Sequence, residues 1–235
     1  MASRRSDGGA RRESIPVARR SSQGGTIPPA FYDRDPTIVA RELLGAVLEC
    51  ESDEGLASGR IVETEAYLGP HDPACHAVVG RTRRTWHLHG PPGHAYVYFI
   101  YGVYWCFNAV TLPEGIGSAV LVRGLEPLAG LALMRRRRPA AKRDRDLCNG
   151  PGKLCLALGI DGRFDGVSLE RGPLVIRAGA PVPDEEVEVT PRIGISQAAD
   201  WPLRFLVRGS EHASRTPKGF TRAPFVPGGR GPGAR

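Results

Sequence analysis

Glu63, Glu65 and Tyr67 occupy every second position of the run Gly59-Arg-Ile-Val-Glu-Thr-Glu-Ala-Tyr-Leu-Gly-Pro70. On an extended strand this spacing puts two carboxylates and a phenol on one face, roughly 7 Å between successive members. A carboxylate fixed beside other polar groups can take a proton from water or stabilise positive charge at a reacting centre. The ordinary alternative for such an alternation is a solvated strand face. A second candidate is the histidine group: His71, His76, His87, His89 and His94 fall within 24 residues, and Cys75 adjoins His76. His87-x-His89 could place two imidazoles on one side of a strand, as a metal-dependent hydrolase needs. Against that, no acidic ligand recurs at metal spacing, and Gly-Pro-Pro-Gly after His89 signals a loop.

The third candidate is aromatic. His94-Ala-Tyr-Val-Tyr-Phe-Ile-Tyr-Gly-Val-Tyr-Trp-Cys-Phe-Asn108 gathers four tyrosines, two phenylalanines and a tryptophan around Gly102. It reads as a hairpin turning at Tyr101-Gly102, and most of its rings are assigned to packing. Tyr101 differs, because a large ring at a turn apex has little to pack on within its own hairpin and needs a partner such as a base stack. Cations cluster at Arg81/Arg83/Arg84 and from Arg135 to Arg138 with Lys142 and Arg143. Asn149-Gly150-Pro151 opens a short helix to Leu158, closed by Gly159, and Lys153 in its first turn suits a phosphate.

The elements that must position these groups follow from capping and turn signals. Asp35 caps and Pro36 starts a helix over Thr37 to Leu44, with Gly45 past its end. Ala46 to Cys50, a Ser52-Asp53-Glu54-Gly55 turn and Ala57 to Tyr67 form a hairpin. In it Val62, Thr64, Ala66 and Leu68 face the core, and Ile61, Glu63, Glu65 and Tyr67 face the other way. Gly117 to Leu125 is a strand, and Pro127 to Arg138 is a helix whose terminal arginines suit its dipole. Leu174 to Ala178, Arg192 to Ile195 and Leu203 to Arg208 complete the sheet. The expected class is mixed α/β (α+β), a single compact domain.

Thirty glycines and 21 prolines in 235 residues exclude a helical bundle. The net charge of +7 points to a polyanion, but residues 1–30 contribute +4 and residues 218–235 another +4, which leaves −1 for the centre. Composition alone therefore does not make the core a nucleic-acid binder. Residues 1–27 and 218–235 are expected to be disordered basic tails flanking a domain over 28–217. Five cysteines without a C-x-x-C pair or a secretory segment read as free thiols in a reducing compartment, and no apolar run is long enough for a membrane span.

The order of these motifs, from Gly59–Pro70 through His76, Tyr96-Val-Tyr-Phe-Ile-Tyr-Gly102, Asn108 and Val122-Arg-Gly-Leu-Glu-Pro127 to Gly150-Pro-Gly-Lys-Leu154, resembles the alkyladenine (3-methyladenine) DNA glycosylase family over residues 30–210. The resemblance implies a compact domain around a curved antiparallel sheet, with a protruding aromatic hairpin that enters the minor groove. It implies Glu65 as the base that activates water, with Arg123 against it. Tyr67, His76 and Tyr98 would sandwich an extruded base, Asn108 would turn away a guanine amino group, and Tyr101 would fill the gap in the duplex. Lys153, Arg81 and Arg83 would bind phosphates, and Glu63 would support the site. The implied partner is double-stranded DNA with damaged purines, met by a monomer without cofactor or metal in the bacterial cytoplasm, at the nucleoid. No lysine is expected beside Glu65, so the enzyme would be monofunctional, without strand cleavage. Arg83-Arg84-Thr85-Trp86-His87-Leu88-His89 departs from the family, which usually has Arg-Asn and then Met-Phe here. A protein that binds lesions without catalysis would share the wedge and pocket, and Glu65 argues for the enzyme.

Overall fold

The strand that carries Glu63, Glu65 and Tyr67 is the axis of the molecule. The computed structural model describes residues 24–226, so the expected tails lie outside the described residues at 1–23 and 227–235. The elements are α1 (Pro29–Tyr32), α2 (Pro36–Glu42), β1 (Val47–Ser52), β2 (Gly55–Tyr67), β3 (Ala95–Ile100), β4 (Tyr104–Thr111), β5 (Ser118–Ala129), α3 (Leu131–Arg137), α4 (Pro151–Leu158), β6 (Leu174–Arg177), β7 (Val187–Thr190), β8 (Arg204–Val207) and β9 (Ala223–Pro224). The strands form one open antiparallel sheet in the order β3-β4-β5-β2-β8-β7-β9, and β1 pairs with both β2 and β6. This is an α+β domain, as its composition suggested.

β2 holds the sheet together because it is long enough to have three partners. One edge pairs along its length with β5, and the other pairs first with β1 and then, over Glu63–Glu65, with β8. The helices cover one face, where Thr64 donates from its hydroxyl to Ala40 O of α2 at 2.8 Å. On the other face the segment after β2 packs through Cys75, Ala77 and Leu88 against Tyr96, Val110 and Ala119. A register shift between Ile61 and Glu63 makes Val62 an extra residue opposite β5. Such a bulge moves the following side chains to the other face, so Ile61 joins the main core with Ala66 and not the face of Glu63.

Several boundaries differ from expectation. Asp35 caps α2, accepting from Thr37 N–H at 2.8 Å, as its position implied. Pro127 to Ala129, expected as helix, instead extends β5 by pairing with Gly59 and Ser58, and the turn falls at Gly130, with φ +78°. Arg192 to Ile195 is not a strand, because Ile193 N–H donates to Glu65 and Gly194 has φ +80°. β7 supplies the missing ladder. Folded chain also reaches into both expected tails: Ile27 N–H donates to Ile176 O at 2.9 Å, β9 pairs with β7, and Phe225 packs on Phe205. All five cysteines are free and buried, and burial pushes the thiols up, to about 11 for Cys50 and about 12 for Cys148. No helix among the described residues is long and apolar enough to cross a membrane.

Where β2 meets β5, Gly59 allows a close approach: a Cβ there would lie 2.8 Å from Leu125 Cβ and 3.0 Å from Glu126 O. Neither atom is the end of a flexible chain. Gly59→Ala is expected to destabilise the fold by about 1–3 kcal/mol, read as a lower urea midpoint with an unchanged slope.

Candidate active site

Both carboxylates of β2 are fully buried, so the solvated-face expectation fails. They sit in a network of six charges. Glu63 Oε1 accepts from Arg123 Nε at 3.2 Å, Arg204 Nε at 2.6 Å and Ser214 Oγ at 2.6 Å, while Oε2 accepts from Ser214 N–H at 2.6 Å. Burial pushes Glu63 towards the neutral acid. Arg123, Arg204 and the Ser214 bonds outweigh that push and hold it below the usual carboxylate range. Glu65 Oε1 accepts from Ile193 N–H at 2.7 Å, and Oε2 accepts from Tyr67 Oη at 2.9 Å and Arg123 Nη1 at 3.3 Å. Beside them the buried pair Arg192–Asp72 is bidentate, and the Arg192 guanidinium lies 4.7 Å from the Tyr67 ring centre. Three buried acids thus face three buried arginines.

In front of this network opens a cavity of about 360 Å³. Tyr67, His76, Tyr98, Tyr101, Asn108 and Arg123 all line it, so the structure brings these predicted residues together. Glu65 stands behind the wall, bonded to the two lining residues Tyr67 and Arg123. The His76 and Tyr98 rings are 4.6 Å apart at 69°, and His76 Nδ1 is 2.9 Å from Tyr96 Oη. Burial, aided by the positive charge of Arg84, lowers the His76 pKa and favours a neutral ring. Burial likewise raises Tyr67 and Tyr98, which stay protonated. Asn108 is fixed by its Nδ2 donating to Tyr96 O at 3.0 Å.

Tyr101 and Gly102 both have positive φ, 55° and 68°, and Val103 N–H donates to Ile100 O. This is the sign pattern of a type I′ hairpin turn. It lifts Tyr101 to 80% exposure at the apex. The opposite flank of the cavity is Pro151 and Gly152 at the start of α4. Lys153 follows, bonded through Nζ to Asn149 Oδ1 at 2.7 Å and not lining the cavity. Arg81 and Arg83 are exposed on the loop before the His87–His89 turn. That turn is a 3-10 helix and not a strand: His87 Nδ1 goes to Asp165 Oδ2 at 2.8 Å and His89 Nδ1 to Thr85 O at 3.0 Å. The two imidazoles go to separate partners, and no group of three His, Cys, Asp or Glu among the described residues could hold a metal.

Comparison with known proteins decides the family. The profile of the methylpurine-DNA glycosylase (MPG) family matches residues 30–211. A protein of Methanoculleus marisnigri named "Putative 3-methyladenine DNA glycosylase" is 50% identical over 193 residues, 81% of this chain and 99% of that one. Proteins of the same name from Myxococcus xanthus and Carboxydothermus hydrogenoformans are 47% identical over 201 residues and 45% over 190. These cover 84% and 80% of this chain, and 98% of each relative. The chain belongs to the methylpurine-DNA glycosylase family. Its place is therefore among DNA-repair glycosylases, proteins that act on DNA.

Against this family background, the residues that sequence reading missed are those behind the cavity: Asp72, Arg192, Arg204 and Ser214. Ser214 lies beyond the matched span and more than 150 residues from Glu63 in sequence. One signal was present for Arg204, a cation inside the apolar run Leu203-Arg-Phe-Leu-Val207. Removing it strands a buried carboxylate, so Arg204→Met is expected to destabilise the fold by about 3–5 kcal/mol in urea unfolding. The pH dependence has a definite sign. Glu63 has a lower pKa folded than unfolded, so its stabilisation is complete above the usual carboxylate range. It is lost as pH falls through that range towards the folded value. Urea midpoints recorded from pH 7 downwards should fall less steeply for Glu63→Gln than for the parent.

Proposed function

We propose that this chain flips alkylated or deaminated purines out of duplex DNA and hydrolyses the N-glycosidic bond with water activated by Glu65, leaving an abasic site. The observation that carries the reading is an aromatic-walled cavity backed by the buried Glu65–Arg123 pair. A base stacked in a duplex is out of reach of such a cavity, so the nucleotide must first be extruded. Tyr101, exposed at the hairpin apex, would occupy the gap. A bulky residue at positive φ costs of order 1–3 kcal/mol, which supports a functional reason for its position. Tyr67, His76 and Tyr98 offer flat faces, contributing about 1–3 kcal/mol per stacked base. Neutral His76 adds no charge against a cationic alkylpurine. Asn108, held by Tyr96 O on the cavity wall, would turn away a guanine 2-amino group. Lys153, Arg81 and Arg83 hold phosphates and so position the duplex without reading its sequence.

The bond from C1′ to the purine nitrogen breaks with its electron pair leaving on the base, and positive charge develops on the sugar. Water attacks C1′ and gives its proton to Glu65, whose negative charge also stabilises the cationic sugar. A carboxylate has about four lone-pair positions, and three on Glu65 already accept hydrogen bonds. The fourth, on Oε1, has Arg123 Nε 3.3 Å away and is the one an attacking water would take. Arg123 offsets the cost of burying this charge and fixes its direction. A second reading, lesion binding without catalysis, is favoured by one observation: Glu65 has no exposed surface in this conformation.

Base release from duplexes with hypoxanthine or ethenoadenine separates the two readings. Single-turnover release is expected with strands intact until alkali, insensitive to chelator. Glu65→Gln should slow it by about 10²–10⁴-fold while lesion binding persists. Tight lesion binding without release by the parent chain would establish the sensor, and full activity of Glu65→Gln would remove Glu65 from its role.

A further inference from the structure

Between Pro73 and Leu125 the only acid is Glu114. Arg81, Arg83 and Arg84 in this stretch are exposed, and none makes an ion pair among the described residues. The other arginine cluster behaves differently. Arg135 pairs with Asp144, Arg137 with Glu54, Arg143 with Asp146 and Arg145 with Glu211, so much of its charge is matched within the fold, and Arg138 is taken up by the Asp146 and Leu147 carbonyls. On the described surface beside the cavity, positive charge without an ion pair thus gathers in this loop, with Lys153 on the opposite flank the other such cation.

The loop is built, not loose. Thr85 Oγ1 donates to Gly80 O at 2.8 Å and accepts from Thr82 N–H at 2.8 Å, and Thr85 N–H donates to Thr82 Oγ1 at 3.2 Å. Its far end is tied to the hairpin: Asp165 bonds His87 through one oxygen and accepts Val97 N–H of β3 at 2.8 Å through the other. Arg84 Nη2 donates to Phe99 O near the hairpin tip at 3.4 Å. On this frame Trp86 is 53% exposed, and the Arg81 guanidinium is stacked 3.8 Å from its ring centre. Val78 and Val79 beside it are also exposed. More than half of this large indole is left in solvent, and its stacking partner is itself an arginine without an ion pair.

We infer that Trp86, with the Arg81 guanidinium stacked on it, extends the phosphate contacts of this loop into a surface for undamaged duplex flanking the cavity, the indole lying against the sugar–phosphate backbone. This rests on the reading that the cavity takes a base from duplex DNA, since the loop adjoins the same hairpin. Phosphates meet the unpaired arginines, and the indole covers the apolar side of deoxyribose. Because these contacts are made outside the cavity, they serve lesion-free DNA as well as damaged DNA.

The test uses the full chain and a short undamaged duplex followed by fluorescence anisotropy, with no catalytic step. Trp86→Ala should weaken binding about tenfold. Arg83→Gln should reduce the slope of log K against log salt by about 0.9, one phosphate contact. The difference in emission between the parent and Trp86→Phe isolates this indole in the native fold, and undamaged duplex should change it. Unchanged affinity in Trp86→Ala, or an unchanged Trp86 signal at saturating duplex, overturns the proposal. So does weakened binding confined to lesion-bearing duplex, which would assign the ring to the pocket. Absence of base release by the parent chain would sink the glycosylase reading and leave this binding result standing.

Discussion

Glu63 and Glu65 carry charge into the interior of a sheet, and much of the surrounding structure is arranged around that fact. An ion moved out of water loses several kcal/mol even after relaxation, and a partner recovers this only with close geometry and satisfied lone pairs. Glu63 meets that demand through Arg204, Arg123 and Ser214, and Glu65 through Arg123, Tyr67 and Ile193 N–H. Apart from Tyr67 on β2 itself, these partners come from β5, β8 and two loops remote in sequence. Their convergence fixes how β2 sits between β5 and β8 and where the chain after β7 must run. The third pair, Asp72–Arg192, anchors the Tyr67 ring from behind through the guanidinium stacked on it.

Buried ion pairs are seldom the cheapest way to stabilise a core, since apolar residues of the same volume often do as well or better. A balanced set of three acids and three arginines is therefore poorly explained by stability alone. On the proposed function it is better explained by Glu65, a carboxylate behind a cavity wall that needs balanced charge around it to be tolerated there. Arg123 links the two halves, since its guanidinium touches both Glu63 and Glu65. Glu63 and Arg204 then act as its foundation. Arg204 holds Glu63, Glu63 accepts from Arg123 Nε, and Arg123 Nη1 donates to Glu65.

Local chemistry made part of this legible in the sequence. Asp35-Pro36 started α2, Gly150-Pro151 and Gly159 bounded α4, and Tyr101-Gly102 set the hairpin turn, because caps and turns depend on residues adjacent in the chain. The alternation of Glu63, Glu65 and Tyr67 correctly put them on one face. Their burial was not legible, because it depends on Arg192, Arg204 and Ser214, which are far along the chain. The same cause explains the errors. Arg192 to Ile195 has strand-like residues, but its donors go to carboxylates and not to a ladder. The bulge at Val62 is invisible to a period-2 reading, and so Ile61 was put on the wrong face. Pro127 suggested a helix start, whereas pairing with Gly59 keeps the chain extended.

Charge shows the same division between local and distant information. The sequence contains two arginine clusters of similar appearance, and counting cannot rank them. The fold ranks them, since Glu54 and Glu211 from afar join the nearby Asp144 and Asp146 in pairing with much of one cluster, while the stretch from Pro73 to Leu125 has only Glu114 to offer the other. For a protein that acts on DNA, the position of the unneutralised charge matters more than the total. Long-range attraction brings a polyanion to that point, and here the point adjoins the one hairpin whose apex carries an exposed tyrosine. On the proposed function, a duplex drawn to Arg81, Arg83 and Arg84 would arrive beside Tyr101 and the aromatic cavity, because the loop that carries the charge is bonded to the hairpin that carries the ring.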